Sequence, residues 1–127
     1  MNKEIIKTYI ISTVVLLILD KIYLSQVSKY YNTMITKIQN KKMELNYVGA
    51  IISYLFLTIS INYFILNKQS NILDAFLLGF LTYGIFDATN YAIISDWKLN
   101  LSILDTFWGG ILYSLTTIIT NYLNKKI

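Results

Sequence analysis

Four carboxylates, Asp20, Asp74, Asp87 and Asp105, fall within or at the ends of long apolar runs in a chain of 127 residues. An acid carried into hydrocarbon opposes insertion by about 3 kcal/mol, so it is kept where it binds a cation, relays protons or ties helices together through hydrogen bonds. Asn71 stands three residues before Asp74, and Ser102 three before Asp105. That is the spacing of a helix N-cap and a third-position acid, where free backbone N–H groups and the helix dipole favour negative charge. It predicts capping roles for Asp74 and Asp105. Asp20 and Asp87 come late in their runs, where the dipole opposes a negative charge, and each therefore needs a partner. If their helices run in the same direction, both acids approach one membrane face, to within about 6–11 Å at 1.5 Å per residue. Asp105 enters from that face. Three carboxylates from three helices are thus expected to converge near Asn90, Lys21, Lys98 and Trp108, with Asp74 alone at the opposite face.

Few other reactive groups are present. The chain has no Cys and no His, and every basic residue is Lys. Disulfides, thiolate metal sites and the commonest neutral-pH base and metal ligand are excluded. No Gly-rich phosphate loop occurs either, so the expectation is a protein without catalytic residues or cofactor, and not an enzyme. Whether the acids hold a metal is left open by their spacing. The net charge of +4 is expected from Lys flanking membrane spans and does not call for a nucleic-acid partner. Heavy use of Ile, Asn, Lys and Tyr reads as AT-rich coding bias.

The elements that must position these residues follow from hydropathy. The chain is 55% hydrophobic and 14% charged, with mean hydropathy +0.51, too apolar for a soluble domain of this size. Four runs reach or approach the length a helix needs to cross the hydrocarbon: 8–24, 46–66, 72–94 and 99–123. The expected fold is all-α, a single integral membrane bundle of four transmembrane helices. The short polar links 67–71 and 95–98 make helices two and three, and three and four, antiparallel neighbours. The first run continues into Asp20 and Lys21 without a small-x-small cleavage site, so it is expected to be a mature span and not a signal peptide. In the third, eleven Leu, Ile and Phe residues favour insertion by about 3–7 kcal/mol, and Asp87 with Asn90 takes back much of that, so neighbouring helices should shield Asp87.

Between helices 1 and 2, residues 25–45 form an amphipathic segment. Val27, Tyr30, Tyr31, Met34, Ile35 and Ile38 recur at steps of three and four, opposite Lys29, Asn32, Lys37 and Lys41. The segment should extend the first span beyond the bilayer, lie along the interface, or pack as a solvated helix on its own protein; Lys29, Lys37, Lys41 and Lys42 are its expected membrane-interface cations. Lys residues are evenly divided between the two sides, so the positive-inside rule does not orient the chain. Gly79, Gly84, Gly109 and Gly110 should allow helices three and four to approach closely, and Trp97, Trp108 and many Tyr residues belong to an aromatic belt or the bundle interior.

The elements Gly79-x3-Tyr83-Gly84-x2-Asp87-x-Thr89-Asn90, Trp97 and Asp105-x2-Trp108-Gly109, with Asp20 in the first span and Tyr54 in the second, resemble the predicted four-helix membrane proteins grouped as domain of unknown function 2177. Tyr23 stands where that family pattern places a Trp. The resemblance implies a four-span bundle over nearly the whole chain and marks Asp20, Asp87, Asn90, Asp105 and Trp108 as pattern positions. It implies no reaction, and it implies a bacterial or large-DNA-virus setting.

The leading functional expectation is a structural or assembly component of a cellular or viral membrane, multi-pass, with the lipid bilayer and a homo-oligomer or other membrane proteins as partners. A proton or cation channel or transporter subunit is the alternative; a large aqueous vestibule lined by Asp20 and Asp87 would favour it. A lipid-processing enzyme with a carboxylate-held divalent ion is the third reading, favoured by a headgroup-level pocket faced by at least two Asp residues.

Overall fold

The computed structural model of the chain describes residues 2–127. It contains four helices: α1, Lys3–Gln39; α2, Tyr47–Ile61, prolonged by a π-helical turn Asn62–Leu66; α3, Ile72–Ile93; and α4, Leu99–Lys126. Asparagine punctuates them. The side chains of Asn2, Asn46 and Asn71 accept from backbone N–H groups of the first turns of α1, α2 and α3, satisfying donors that a helix start leaves free. Asn40 ends α1 in the left-handed conformation at φ 60°, a role Asn fills when Gly does not. The π turn begins at Asn62, whose side-chain amide donates to the Thr58 carbonyl at 2.9 Å. The ladder then widens to a five-residue step, with Asn67 N donating to Asn62 O, as happens where a side chain enters the backbone ladder.

Polarity is turned outside in. Ser12, Asn62, Thr116, Thr117 and Thr120 are fully buried, whereas Ile10, Leu73, Ile85 and Phe86 are more than half exposed. This is the arrangement for a lipid solvent, which welcomes Ile and Phe and drives polar side chains to one another. The stretches Tyr47–Leu66, Ile72–Ile93 and Leu99–Lys126 are long and apolar enough to cross a membrane. α1 is not one of these three; it carries Asp20 and Lys21 at mid-length and Lys3, Glu4, Lys7, Lys29 and Lys37 toward its ends.

α3 and α4 form the most extensive pair. A methyl group at Gly79 would overlap the Gly109 carbonyl, and one at Gly109 would strike the Gly79 carbonyl and the Tyr83 ring. The backbones touch there because neither residue has a side chain. α1 lies antiparallel along α4 for its full length: Asn124 Nδ2 donates to Thr8 Oγ1 at 3.1 Å, Tyr23 OH to Asp105 at 3.0 Å and Lys98 N to Met34 S at 3.2 Å. α2 enters the core at its C-terminal half, through Ile61, Ile65 and Leu66, while Tyr47, Val48 and Ile51 of its first turns are exposed. An apolar groove of about 420 Å³ between α1 and α2 results, lined by residues that include Leu17, Ile51, Leu55 and Tyr54.

The structure joins parts of two of the dispositions open to residues 25–45: the segment continues the first helix, and it packs on its own protein, which covers the apolar stripe. The segment continues α1 without a break to Gln39 and is non-helical only from residue 40 to 46. At 37 residues and 1.5 Å per residue, α1 is about 55 Å long and outruns a hydrocarbon layer of about 30 Å. Its overhang does not offer a Tyr and Met face to lipid. Met34 packs with Trp97 and Leu101, flanked by Tyr31, Ile35, Ile38 and Ile94. The link between α3 and α4 thus supplies the apolar cover that the stripe requires.

Candidate functional site

The acids occupy three situations. Asp74 is exposed in the first turn of α3, its backbone N–H donating to the Asn71 side chain at 2.8 Å, as the N-cap spacing predicts. Asp105 departs from that prediction. α4 begins at Leu99, so Ser102 already lies inside the helix and caps nothing; its hydroxyl accepts the Trp97 indole N–H at 2.9 Å. Asp105 is a buried interior acid. The spacing misleads because the apolar residues Leu99 and Leu101 start the helix a turn earlier, with Leu101 drawn into contact with Met34 and Trp97.

Asp20 is held on both carboxylate oxygens and from two other helices. The Tyr54 hydroxyl of α2 donates to Oδ2, and Trp108 Nε1 of α4 donates to Oδ1 at 3.0 Å. Because α1 runs on to Gln39, Asp20 stands at mid-helix and not late in its helix as the apolar run 8–24 suggested; its need for donors comes from its apolar surroundings, and the phenol and indole meet it. Trp108 also stacks face to face on Tyr23, with ring centroids 4.7 Å apart and planes at 5°. Tyr23 in turn donates to Asp105 Oδ1 at 3.0 Å. A continuous polar chain therefore runs Tyr54–Asp20–Trp108, across the stack to Tyr23, and on to Asp105.

Asp87 lies at the far side of Asp105. It is 1% exposed, and neither oxygen has a hydrogen-bond partner; its carboxyl faces Asp105 and the Trp97 indole. The expected convergence of three acids is therefore a pair, Asp87 with Asp105, plus a separate Asp20. Among the described residues no three acids come together as a metal-holding group. Asn90, one turn on from Asp87, is half-buried, and its backbone carbonyl ends α3 by accepting from Ile94 N. Lys21 and Lys98 are exposed and bond none of these acids; the ion pairs among the described residues are Lys7–Glu4 and Lys37–Asp96, at 3.6 Å and 3.7 Å. Of the amphipathic cations, Lys29, Lys37, Lys41 and Lys42 are all exposed, and Lys37 reaches Asp96 across to the α3–α4 link.

The phenols of Tyr23, Tyr31 and Tyr83 are the participants that a reading for acids overlooks. Tyr31 donates to the Leu101 carbonyl at 3.5 Å and neighbours Asp105 and Asp87. Tyr83 packs over Gly109, close to Asp20 and Asp105. Eleven Tyr residues concealed the few that matter, although the i, i+3 step from Asp20 to Tyr23 placed that one on the acid's own face.

A second polar layer occupies the other half of the bundle. Asn62 Nδ2 donates to Ser12 Oγ at 2.8 Å, and Tyr113 donates to the Leu57 carbonyl at 3.0 Å while bonding the Ser60 hydroxyl. Five cavities along the bundle are lined by residues other than Asp20, Asp87 and Asp105, one of them by Tyr54. One of these, about 580 Å³, opens at the opposite end among Glu4, Gln69, Asn121 and Lys125. The family described as predicted membrane protein, DUF2177, matches residues 5–122. No curated protein and no solved structure matches the chain.

Proposed function

We propose, from the premise that this chain belongs to the DUF2177 family of predicted membrane proteins, that it is a four-span bundle acting as a structural or assembly component of its membrane. The observation that carries this reading is Asp20, buried, with both oxygens bonded from α2 and α4. An acid so enclosed ties three helices together and presents nothing to a substrate or a passing ion. Four spans, rather than three, are supported by the outward face of α1. Ile10, Val14, Leu17, Ile18 and Ile22 are exposed there, while Ser12, Asp20 and Tyr23 point inward. Because α1 runs alongside α4, that apolar face stands at hydrocarbon depth wherever α4 crosses.

The burial of Asp20, Asp87 and Asp105 weighs against a channel and against a lipid-processing enzyme, both of which need acids open to an ion or a headgroup. The test is flux through vesicles reconstituted with wild type, Asp20→Asn or Asp87→Asn, from mildly acidic to mildly alkaline buffer. Wild type should pass no protons or cations beyond protein-free vesicles, and Asp20→Asn should lower the unfolding midpoint. A wild-type flux that either folded variant abolishes would sink the structural reading.

A further inference from the structure

A buried carboxylate with nothing to bond is an unfinished site. Asp87 is 1% exposed with both oxygens unpartnered, and leaving such a group unpaired in a low-dielectric interior carries a large penalty. Its neighbour Asp105 accepts one hydrogen bond at Oδ1, from Tyr23, and turns its carboxyl toward Asp87. The Tyr31 hydroxyl lies against the same pair. The groups that face the pair are the phenols of Tyr23 and Tyr31 from α1 and the indole of Trp97 from the α3–α4 link, and no Lys forms an ion pair with either acid. The oxygens gathered here are hard donors, two from Asp87, one from Asp105 and the lone pairs of two phenols, which is the chemistry that Ca²⁺, Mg²⁺ and Na⁺ select over soft metals.

We propose that Asp87 and Asp105, with the phenol oxygens of Tyr23 and Tyr31, form an occluded site for one hard metal cation beneath the α1 overhang. Charge balance favours a divalent ion, since it neutralises both carboxylates. The cation is a strut: it joins α3 to α4 and α1 and is enclosed by Trp97 and Met34, so it is bound without being conducted. This goes beyond the structural reading of Asp20 and fails separately from it, because flux tests that reading and cation-dependent stability tests this one.

The experiment uses the full chain in a neutral detergent, stripped with EDTA and unfolded by heat in CaCl2, MgCl2 or NaCl, each against choline chloride at matched ionic strength. The midpoint should rise and saturate with at least one metal salt, as binding to the folded state alone requires. Asp87→Asn and Asp105→Asn should each abolish the rise, while Asp74→Asn, exposed at the opposite face, should keep it. A midpoint indifferent to all three salts, a rise that survives Asp87→Asn, or one lost in Asp74→Asn overturns the site. Should Asp87→Asn fail to fold, elemental analysis of wild type dialysed against each metal decides the matter: near one ion per chain supports the site, and none overturns it.

Discussion

At the scale of single residues, the interior is ordered by which donor reaches which acid. Asp20 takes a phenol and an indole, Asp105 takes a phenol, and Asp87 takes neither. Tyr54→Phe removes one of Asp20's two donors and keeps the ring that packs beside it. A double-mutant cycle with Asp20→Asn should return a coupling of about 0.6 kcal/mol, the mean for interhelical hydrogen bonds in a membrane, and no more than about 1.7. Denaturant unfolding in mixed micelles measures it, and zero coupling would mean that the contact contributes nothing. Tyr23 has two attachments, so its variants separate them. Tyr23→Phe should lose only the hydrogen bond to Asp105, whereas Tyr23→Ala should also lose the stack on Trp108 and destabilise further, by about 0.5–1.5 kcal/mol for the aromatic pair plus the vacated volume.

Between elements, the closest approach is backbone on backbone. Gly79→Ala and Gly109→Ala each put a methyl into the opposite helix's main chain, and the flexible end of a side chain is not there to give way. Each should cost about 1–3 kcal/mol, the range for overpacking, with loss of the α3–α4 register. Gly49→Ala is the matched control: its Cβ would meet only Asn46 Oδ1 at 4.0 Å, and the helix should gain up to about 1 kcal/mol. Equal losses at all three positions would mean that close packing is not their cause. The α1 overhang is a second such contact. Met34→Ala vacates a position 1% exposed under Trp97, and limited proteolysis should then cut faster between residues 40 and 46, while the membrane core stays intact.

For the whole molecule, the open question of topology reduces to the side on which α1 begins. The absence of Cys lets single cysteines report by labelling sealed vesicles. In a four-span bundle, Lys3→Cys and Lys126→Cys are modified from one side and Lys41→Cys and Lys98→Cys from the other. If α1 did not cross, Lys3→Cys would label with Lys41→Cys. The hydrogen bonds between Lys7 Nζ and the Asn124 carbonyl, and between Asn124 and Thr8, place the two ends of the chain together and so predict the first pattern.

Hydropathy alone determined the class of solvent, the all-helical architecture and, to within a few residues, the extents of α2, α3 and α4, because about twenty apolar residues in a row have few alternatives to a helix in lipid; the run 8–24 is only part of α1, Lys3–Gln39. Short links determined that α2, α3 and α4 alternate in direction, and Gly79 with Gly109 announced a close crossing because small residues have little other use at such spacing. The sequence also marked Asp20 and Asp87 as acids in need of partners, because each is a carboxylate carried into an apolar run; the dipole argument fits Asp87, late in α3, and not Asp20, at the middle of α1. Who the partners are was beyond it. That Asp20 is met by Tyr54 and Trp108, that Asp105 lies inside α4 instead of capping it, that Lys21 and Lys98 pair with neither, and that the amphipathic stripe of α1 is covered by Trp97 and Leu101 all depend on the azimuth at which each helix faces its neighbours. Azimuth is set by how whole surfaces interlock, a property that spacing along one strand of sequence does not carry.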